Sequence, residues 1–270
     1  MERMIKFTKS FFYRPIVIFL VLAINIVRPL PLMATQTIQP LFDRALEETR
    51  SGHFDQALKH WDEVIDLSPE DFAAISYKGN CLLALGDPKA AIAAESRALE
   101  LRPYDSTAHL NRAIAEEALS RWEDAEGDYQ WILNHDPNDT SALYNLGNVK
   151  IAQGNWIVAK SFFDKAVLVG SDLPMASSSL ALVNYQLDEL DEAESQLRRL
   201  IRRYPMLPDS RAALTALLWK KGSIGEAESH WAAVIGLDTR YKDLDWLLNT
   251  RRWPLKPSND LIDFLRFKYS

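Results

Sequence analysis

Five histidines, at positions 53, 60, 109, 135 and 230, are the scarcest side chains here that could act as a base or hold a metal. On a helix two imidazoles converge on one ion at three- or four-residue spacing, and no pair has that spacing. His53 and His60 stand seven residues apart, roughly on one helical face, but His53 falls at a turn before the helix that carries His60. No glycine-rich phosphate loop and no nucleophile elbow interrupts the chain. Carboxylate pairs such as Glu47-Glu48, Glu116-Glu117 and Asp188-Glu189 are plentiful, as expected of solvated helical faces. Cys81 is the single cysteine, so neither an intrachain disulfide nor a thiolate-rich zinc site can form. These features point away from an enzyme, a metal centre or a cofactor. What remains is chemistry of recognition, and its candidates depend on the helices that carry them.

Those helices repeat. Alanine recurs every 34 residues at Ala57, Ala91, Ala125, Ala159, Ala193 and Ala227. Twelve positions before each stands a small side chain: Ala45, Gly79, Ala113, Gly147, Ala181 and Thr215, where two helices can approach closely. Four positions after each stands a bulky one, Trp61, Tyr129, Phe163, Leu197 and Trp231, except that Glu95 breaks the series. Pro69, Pro103, Pro137 and Pro205 keep the same phase at the ends of the units, with Ser171 and Thr239 in the other two. Inside each unit Gly52, Gly86, Gly154 and Gly222, with Ser120 and Asp188 as substitutes, mark a helix stop that needs a left-handed residue. One helix pair cannot bury its own apolar stripe, so such units stack into a superhelix with a concave and a convex face.

From about Ile38 to Thr239 this pattern resembles the tetratricopeptide repeat. The resemblance implies an all-α, right-handed solenoid of six helix-turn-helix repeats over 38–71, 72–105, 106–139, 140–173, 174–207 and 208–239, first helices lining the concave side. It also implies a protein-binding role. By repeat phase Asn80, Asn111, Asn145 and Asn148 point inward, where their amides can pair with the backbone of an extended peptide. Tyr77 and Tyr144, with Leu110, Tyr185 and Trp219, add apolar contact. Asn80 and Asn111 match asparagines that co-chaperone adaptors of this family combine with cations to clamp a C-terminal carboxylate. Here the cationic places hold Ser76, Ser141 and Asn145, so that grip is not expected. A secondary basic patch, Arg198, Arg199, Arg202 and Arg203, lies on the second helix of the fifth repeat and could meet an acidic partner or lipid headgroups.

After the last repeat, Tyr241 to Arg252 reads as a helix whose Leu244, Leu247 and Leu248 would cover the exposed end of the stack. Trp253-Pro254 would end it, and Asn259 or Asp260 would cap a last helix through Leu261, Phe264, Leu265 and Tyr269. Residues 240–270 are thus expected to be capping helices. The stretch Leu244-Asp245-Trp246-Leu247-Leu248 with Arg251-Arg252-Trp253-Pro254 is similar to the tail of exported, lumenal tetratricopeptide-repeat proteins of cyanobacteria and plastids. That likeness implies a thylakoid-lumen or periplasmic location. Residues 1–34 agree with it: Arg3, Lys6, Lys9 and Arg14 precede an apolar run from Ile16 to Val27, shorter than the roughly 20 residues of a spanning helix. The segment reads as a cleavable signal or a membrane anchor that sends the remainder across a membrane.

The net charge of −6 gives no footprint for nucleic acid, which needs a clustered basic face. With 47% hydrophobic and 25% charged residues, the chain beyond its leader can bury a sizeable core. The expected function is a scaffold that holds a peptide segment or helix of a partner protein, in the setting of membrane-complex assembly. The alternative is a self-associating module whose groove is filled by its own terminus, either Thr35 to Pro40 or the C-terminal helix.

Overall fold

A computed structural model describes residues 32–170 and 173–270; the apolar run Ile16–Val27, read above as part of a signal or anchor, and Ser171 lie outside the described residues. Twelve helices form six antiparallel pairs: α1 (Leu32–Arg50) with α2 (Phe54–Leu67), α3 (Phe72–Ala84) with α4 (Pro88–Leu101), and α5 (Ser106–Ala118) with α6 (Trp122–His135). Then follow α7 (Thr140–Ala152) with α8 (Trp156–Val169), α9 (Pro174–Gln186) with α10 (Leu190–Arg203), and α11 (Pro208–Lys220) with α12 (Ile224–Leu237). The residues Thr35 to Pro40 belong to α1, which packs on α2 as the first helix of the first pair. No described helix is long and apolar enough to cross a membrane.

The 34-residue pattern explains the helix boundaries. Asp71, Asp87, Asp105 and Asp139 each accept from the backbone N–H three residues on, at 2.7–3.0 Å, satisfying a donor that the first helical turn leaves free. The turn inside each repeat passes through left-handed backbone at Gly52, Gly86, Gly154 and Gly222, and at Ser120 (φ 56°) and Asp188 (φ 64°).

The repeating alanines are buried to within 1% of complete, as are Trp61, Tyr129, Phe163, Leu197 and Trp231. Each large side chain of this kind contributes roughly 1.5–3 kcal/mol through burial. The small residues are required by contact: a Cβ added at Gly147 would stand 2.6 Å from the ring of Phe163. Helices of one pair therefore touch where the sequence pairs small with large.

First helices of neighbouring repeats also touch one another, α1 with α3, α3 with α5, and α9 with α11. They occupy the inner side of the solenoid's curve.

The end of the chain departs from expectation. The single helix expected over Tyr241–Arg252 is replaced by a 3-10 turn (Thr239–Lys242) and a π turn (Trp246–Thr250). The final helix α13 (Leu255–Tyr269) begins directly after Pro254, four residues ahead of Asn259. Nor does α13 extend the stack: it turns back and packs on α11 and α9, inside the curve. Leu261, Phe264 and Leu265 are buried there. The physical reason is a buried carboxylate, Asp209, which draws Tyr241, Arg251 and Trp253 inward and breaks the helical register.

Candidate functional site

The inner face of the solenoid is the one extended concave surface the helices create, and its two halves differ. Over repeats 5 and 6 the chain's own tail fills it. Asp209, on the first turn of α11, is 2% exposed. It accepts from Ser178 Oγ (2.8 Å), Tyr241 OH (2.8 Å), Arg251 Nη2 (2.7 Å) and Trp253 Nε1 (3.0 Å). Burial works against the charge of Arg251, but Asp209 outweighs it and raises the guanidinium above its ordinary value. Burial, then the charge of Asp209, lifts the Tyr241 phenol well above its usual range, so the phenol stays a donor.

Farther along, Lys256 donates its backbone N–H to Gln186 Oε1 (2.9 Å) and its ammonium to Asp188 (2.5 Å). Asp260 accepts from Tyr185 OH (2.8 Å) and Lys220 (3.1 Å). Phe264 packs against Trp219 and Trp231 at 6.0 Å each, and Trp231 Nε1 donates to Tyr269 OH at 3.1 Å.

The segment ahead of α13 also reaches repeat 3. Arg252 adopts a left-handed backbone (φ 57°), an unfavourable conformation for a long side chain. Its guanidinium bonds Glu117, which also accepts from Tyr129 OH at 2.5 Å, and lies 5.2 Å from the ring centroid of Trp122. Between this strap and repeats 3 and 4 remains a cavity of about 1020 Å³, walled by Trp122, Ile151, Trp156, Leu248, Trp253 and Leu255 among others.

Over repeats 1 to 4 the expected groove residues are placed as follows. Asn80 is exposed, and Asn145 and Asn148 are half-buried. Asn111 has turned one donor inward, to Glu95 Oε1 at 3.0 Å. Tyr77 stacks on Trp61 (5.0 Å, 9° between planes) with Phe42 edge-on at 6.4 Å, so it seals repeats 1 and 2 together. Tyr144 lies 5.9 Å from Phe163 and lines a pocket of about 120 Å³ with Ser141 and Met175.

Glu95, the break in the bulky series, sits fully buried in the core. Oε1 would stand 2.7 Å from a Cβ at Gly79, and its described hydrogen-bond donors are neutral, Asn111 and Ser76 (2.9 Å). Burial pushes its carboxyl up to about 7 against the bonds from Asn111 and Ser76, with Asp105 adding to the rise. Because the folded value exceeds the usual 4.5, the folded state holds this proton more tightly. Its stabilising effect is complete below pH 4.5 and is lost as pH rises through 7. Glu95→Gln removes the titration, so at pH 8 the variant is expected to exceed wild type by roughly 2–3 kcal/mol, and to match it at pH 4. Urea melts at the two pH values check this; equal gains at both would exclude Glu95 as the cause.

The basic patch is divided: Arg199 and Arg203 line one cavity of about 330 Å³ with Leu180 and Tyr204, and Arg198 and Arg202 are not among its lining residues. Arg198 bonds Glu194 (2.8 Å) and Glu226 (2.5 Å) across repeats 5 and 6, and these partners raise it above its ordinary value. Arg199 meets Ser195 (2.7 Å), Arg203 lies over Tyr204, and Arg202 is exposed. His109 and His135 both stack on Trp131, at 3.8 and 4.0 Å between ring centroids. His60 meets Glu48 at 2.6 Å, and His109 braces Asp128 (2.7 Å) and the Pro103 carbonyl (3.1 Å). Among the described residues no three His, Cys, Asp or Glu are grouped to hold a metal. Cys81 is buried, which pushes its thiol up.

The C-terminal helix was named as a possible occupant of the groove, but Asp209, which holds the strap ahead of it, was not singled out by sequence. A signal did exist: the places one, two and three repeats earlier hold Met175, Ser141 and Thr107, so an acid there is out of pattern.

Comparison with known proteins agrees with this geometry. The solved structure of a tetratricopeptide repeat protein from Parabacteroides merdae superposes with a TM-score of 0.67 at 19% identity, covering 86% of this chain and 99% of that one. Pseudomonas aeruginosa PilF gives 0.64 at 15%, covering 88% and 99%; at these identities the likeness is one of fold. In sequence, the chain is 34% identical to the mitochondrial import receptor subunit TOM70 of Saccharomyces cerevisiae over 102 residues, 37% of this chain but only 16% of the receptor subunit's length. One description of the tetratricopeptide repeat fits residues 42–106 and 110–172 and a second fits 179–205, together more than half of the chain. With six helix pairs in register, small-to-large contacts inside each pair and a continuous inner face, the chain belongs to the tetratricopeptide-repeat family.

Proposed function

We propose that this chain is a protein-interaction scaffold that receives a peptide segment or helix of a partner on the inner face of repeats 1 to 4. One observation carries the reading: the inner face of repeats 5 and 6 already holds a polypeptide, its own strap and α13. Proteins built of this repeat act generally through binding partners, which supports the class. Asn80, Asn145 and Asn148 supply donors and acceptors for a partner backbone. The reading extends to a location across a membrane and a task in assembling a membrane complex, supported by the basic and apolar leader of residues 1–34.

The test compares wild type with Asn80→Ala/Asn145→Ala/Asn148→Ala in capture from solubilised membranes of the native source. Thermal unfolding is expected to stay within about 0.5 kcal/mol for these surface-type changes, while capture of a specific partner falls. Asn111 stays untouched because its amide supports Glu95. Undiminished capture by the folded variant would remove the groove reading. Fractionation of the source cells tests the location.

The seating of α13 favours a second reading, a self-contained module whose groove is closed by its own tail. It gains if wild type captures no partner and remains a monomer at all concentrations.

A further inference from the structure

We infer that the part of the groove of repeats 2 to 4 that the described strap leaves uncovered takes an amphipathic helix whose contact face is apolar and uncharged. This rests on the scaffold reading above and specifies its partner. The tail itself identifies which repeat positions face the groove. It meets Tyr185 and Trp219 at one position of the 34-residue unit and Gln186 and Lys220 at the next. It meets Asp209 at a third.

In repeats 2 to 4 the first of these positions holds Leu83, Glu117 and Ile151, and the second holds Ala84, Ala118 and Ala152. The third holds Ala73, Thr107 and Ser141. One residue in these three rows is charged, Glu117, and Arg252 already pairs with it. By contrast, the rows that hold α13 present Asp209 and Lys220, and the tail answers them with Arg251 and Asp260. The same superhelix thus offers a charged seat to its own tail and, beyond it, a seat whose charges in these rows and along the strap, Glu117 and Arg252, pair with each other.

The two seats are continuous. Ala118, Ile151 and Ala152 line the cavity of about 1020 Å³ whose other wall is the strap. Leu255, at the start of α13, lines the same cavity and remains 54% exposed. A helix entering there would continue the interface that α13 begins and cover that leucine. The alanines admit a helix backbone closely, and a charged side chain on its contact face would be buried with no partner.

The probe is a fluorescent synthetic helix of about 18 residues, five turns, with leucine and alanine on one face and lysine and glutamate on the other. It is titrated against the full chain by anisotropy at low and high salt. The neutral-faced helix is expected to bind with little salt dependence. One Leu→Lys or Leu→Glu change on that face is expected to weaken binding about tenfold or more. The exposed positions Ala118 and Ala152 accept bulk without disturbing the core, so A118W and A152W should each block the probe. Equal or tighter binding of the charged helices, no binding of the neutral one, or binding that ignores both tryptophans would overturn the inference. Failure of the scaffold reading is separately visible, because native capture would then survive the asparagine changes.

Discussion

Replacing Asp209 by alanine is expected to lower stability by about 3–5 kcal/mol and to release the tail from the groove. The carboxylate is 2% exposed and takes hydrogen bonds from a serine, a tyrosine, an arginine and a tryptophan. Without it Arg251, three-quarters buried at its side chain, keeps its charge and loses its counter-ion. Removing one member of a buried pair costs more than the pair is worth, because the survivor stays desolvated. The change should also be local. A solenoid repeat contacts its neighbours alone, so hydrogen exchange is expected to rise in α9, α11 and α13 and to stay at wild-type levels in α1 to α4. Limited proteolysis should cut between residues 242 and 256. The double variant Asp209→Ala/Arg251→Met should recover about 1–3 kcal/mol, since it removes the orphaned charge as well. A melt within about 0.5 kcal/mol of wild type would show that the tail is held by apolar contact alone.

Phe264→Ala tests that apolar contact independently, with an expected loss of about 3–5 kcal/mol. Phe264 is fully buried, edge-on to both Trp219 and Trp231, so truncation opens a cavity between the sixth repeat and the tail. Trp219 and Trp231 should become hydrated, giving a red shift in tryptophan fluorescence that precedes global unfolding. Its partner contact, Trp231 Nε1 to Tyr269 OH, should loosen with it. The asparagine groove of repeats 1 to 4 lies outside this cluster, and partner capture there is expected to persist. A stability loss under about 1 kcal/mol, with unshifted fluorescence, would mean that α13 rests on the solenoid without being packed into it.

Much of this architecture is written locally. The helices, their stops and their small-to-large contacts are each set by residues within one 34-residue unit, and six copies repeat the message. Even irregular copies were legible: Ser120 and Asp188 were read as substitutes for a left-handed glycine, and both have positive φ. Glu95 was visible as a break in the bulky series. What the pattern did not show is its burial: Gly79 leaves the room for it, Ser76 and Asn111 from other helices supply its hydrogen bonds, and burial pushes its carboxyl up to about 7 against those bonds.

Of the tail, the last helix with Leu261, Phe264 and Leu265 was legible, but what anchors the strap ahead of it was not. Arg251, Arg252 and Trp253 stand out in the chain, but their partners Asp209 and Glu117 lie 42 to 135 residues away. No periodicity links them, because they belong to the one segment that does not repeat. The sequence by itself determined the solenoid and the identity of its inner surface, since stacking identical units needs only nearest-neighbour contacts. Tertiary structure alone decided which half of that surface the tail covers. Burying Asp209, Phe264 and Arg251 together is favourable only when the strap folds back, a long-range choice between exposed and shared desolvation that no local pattern records.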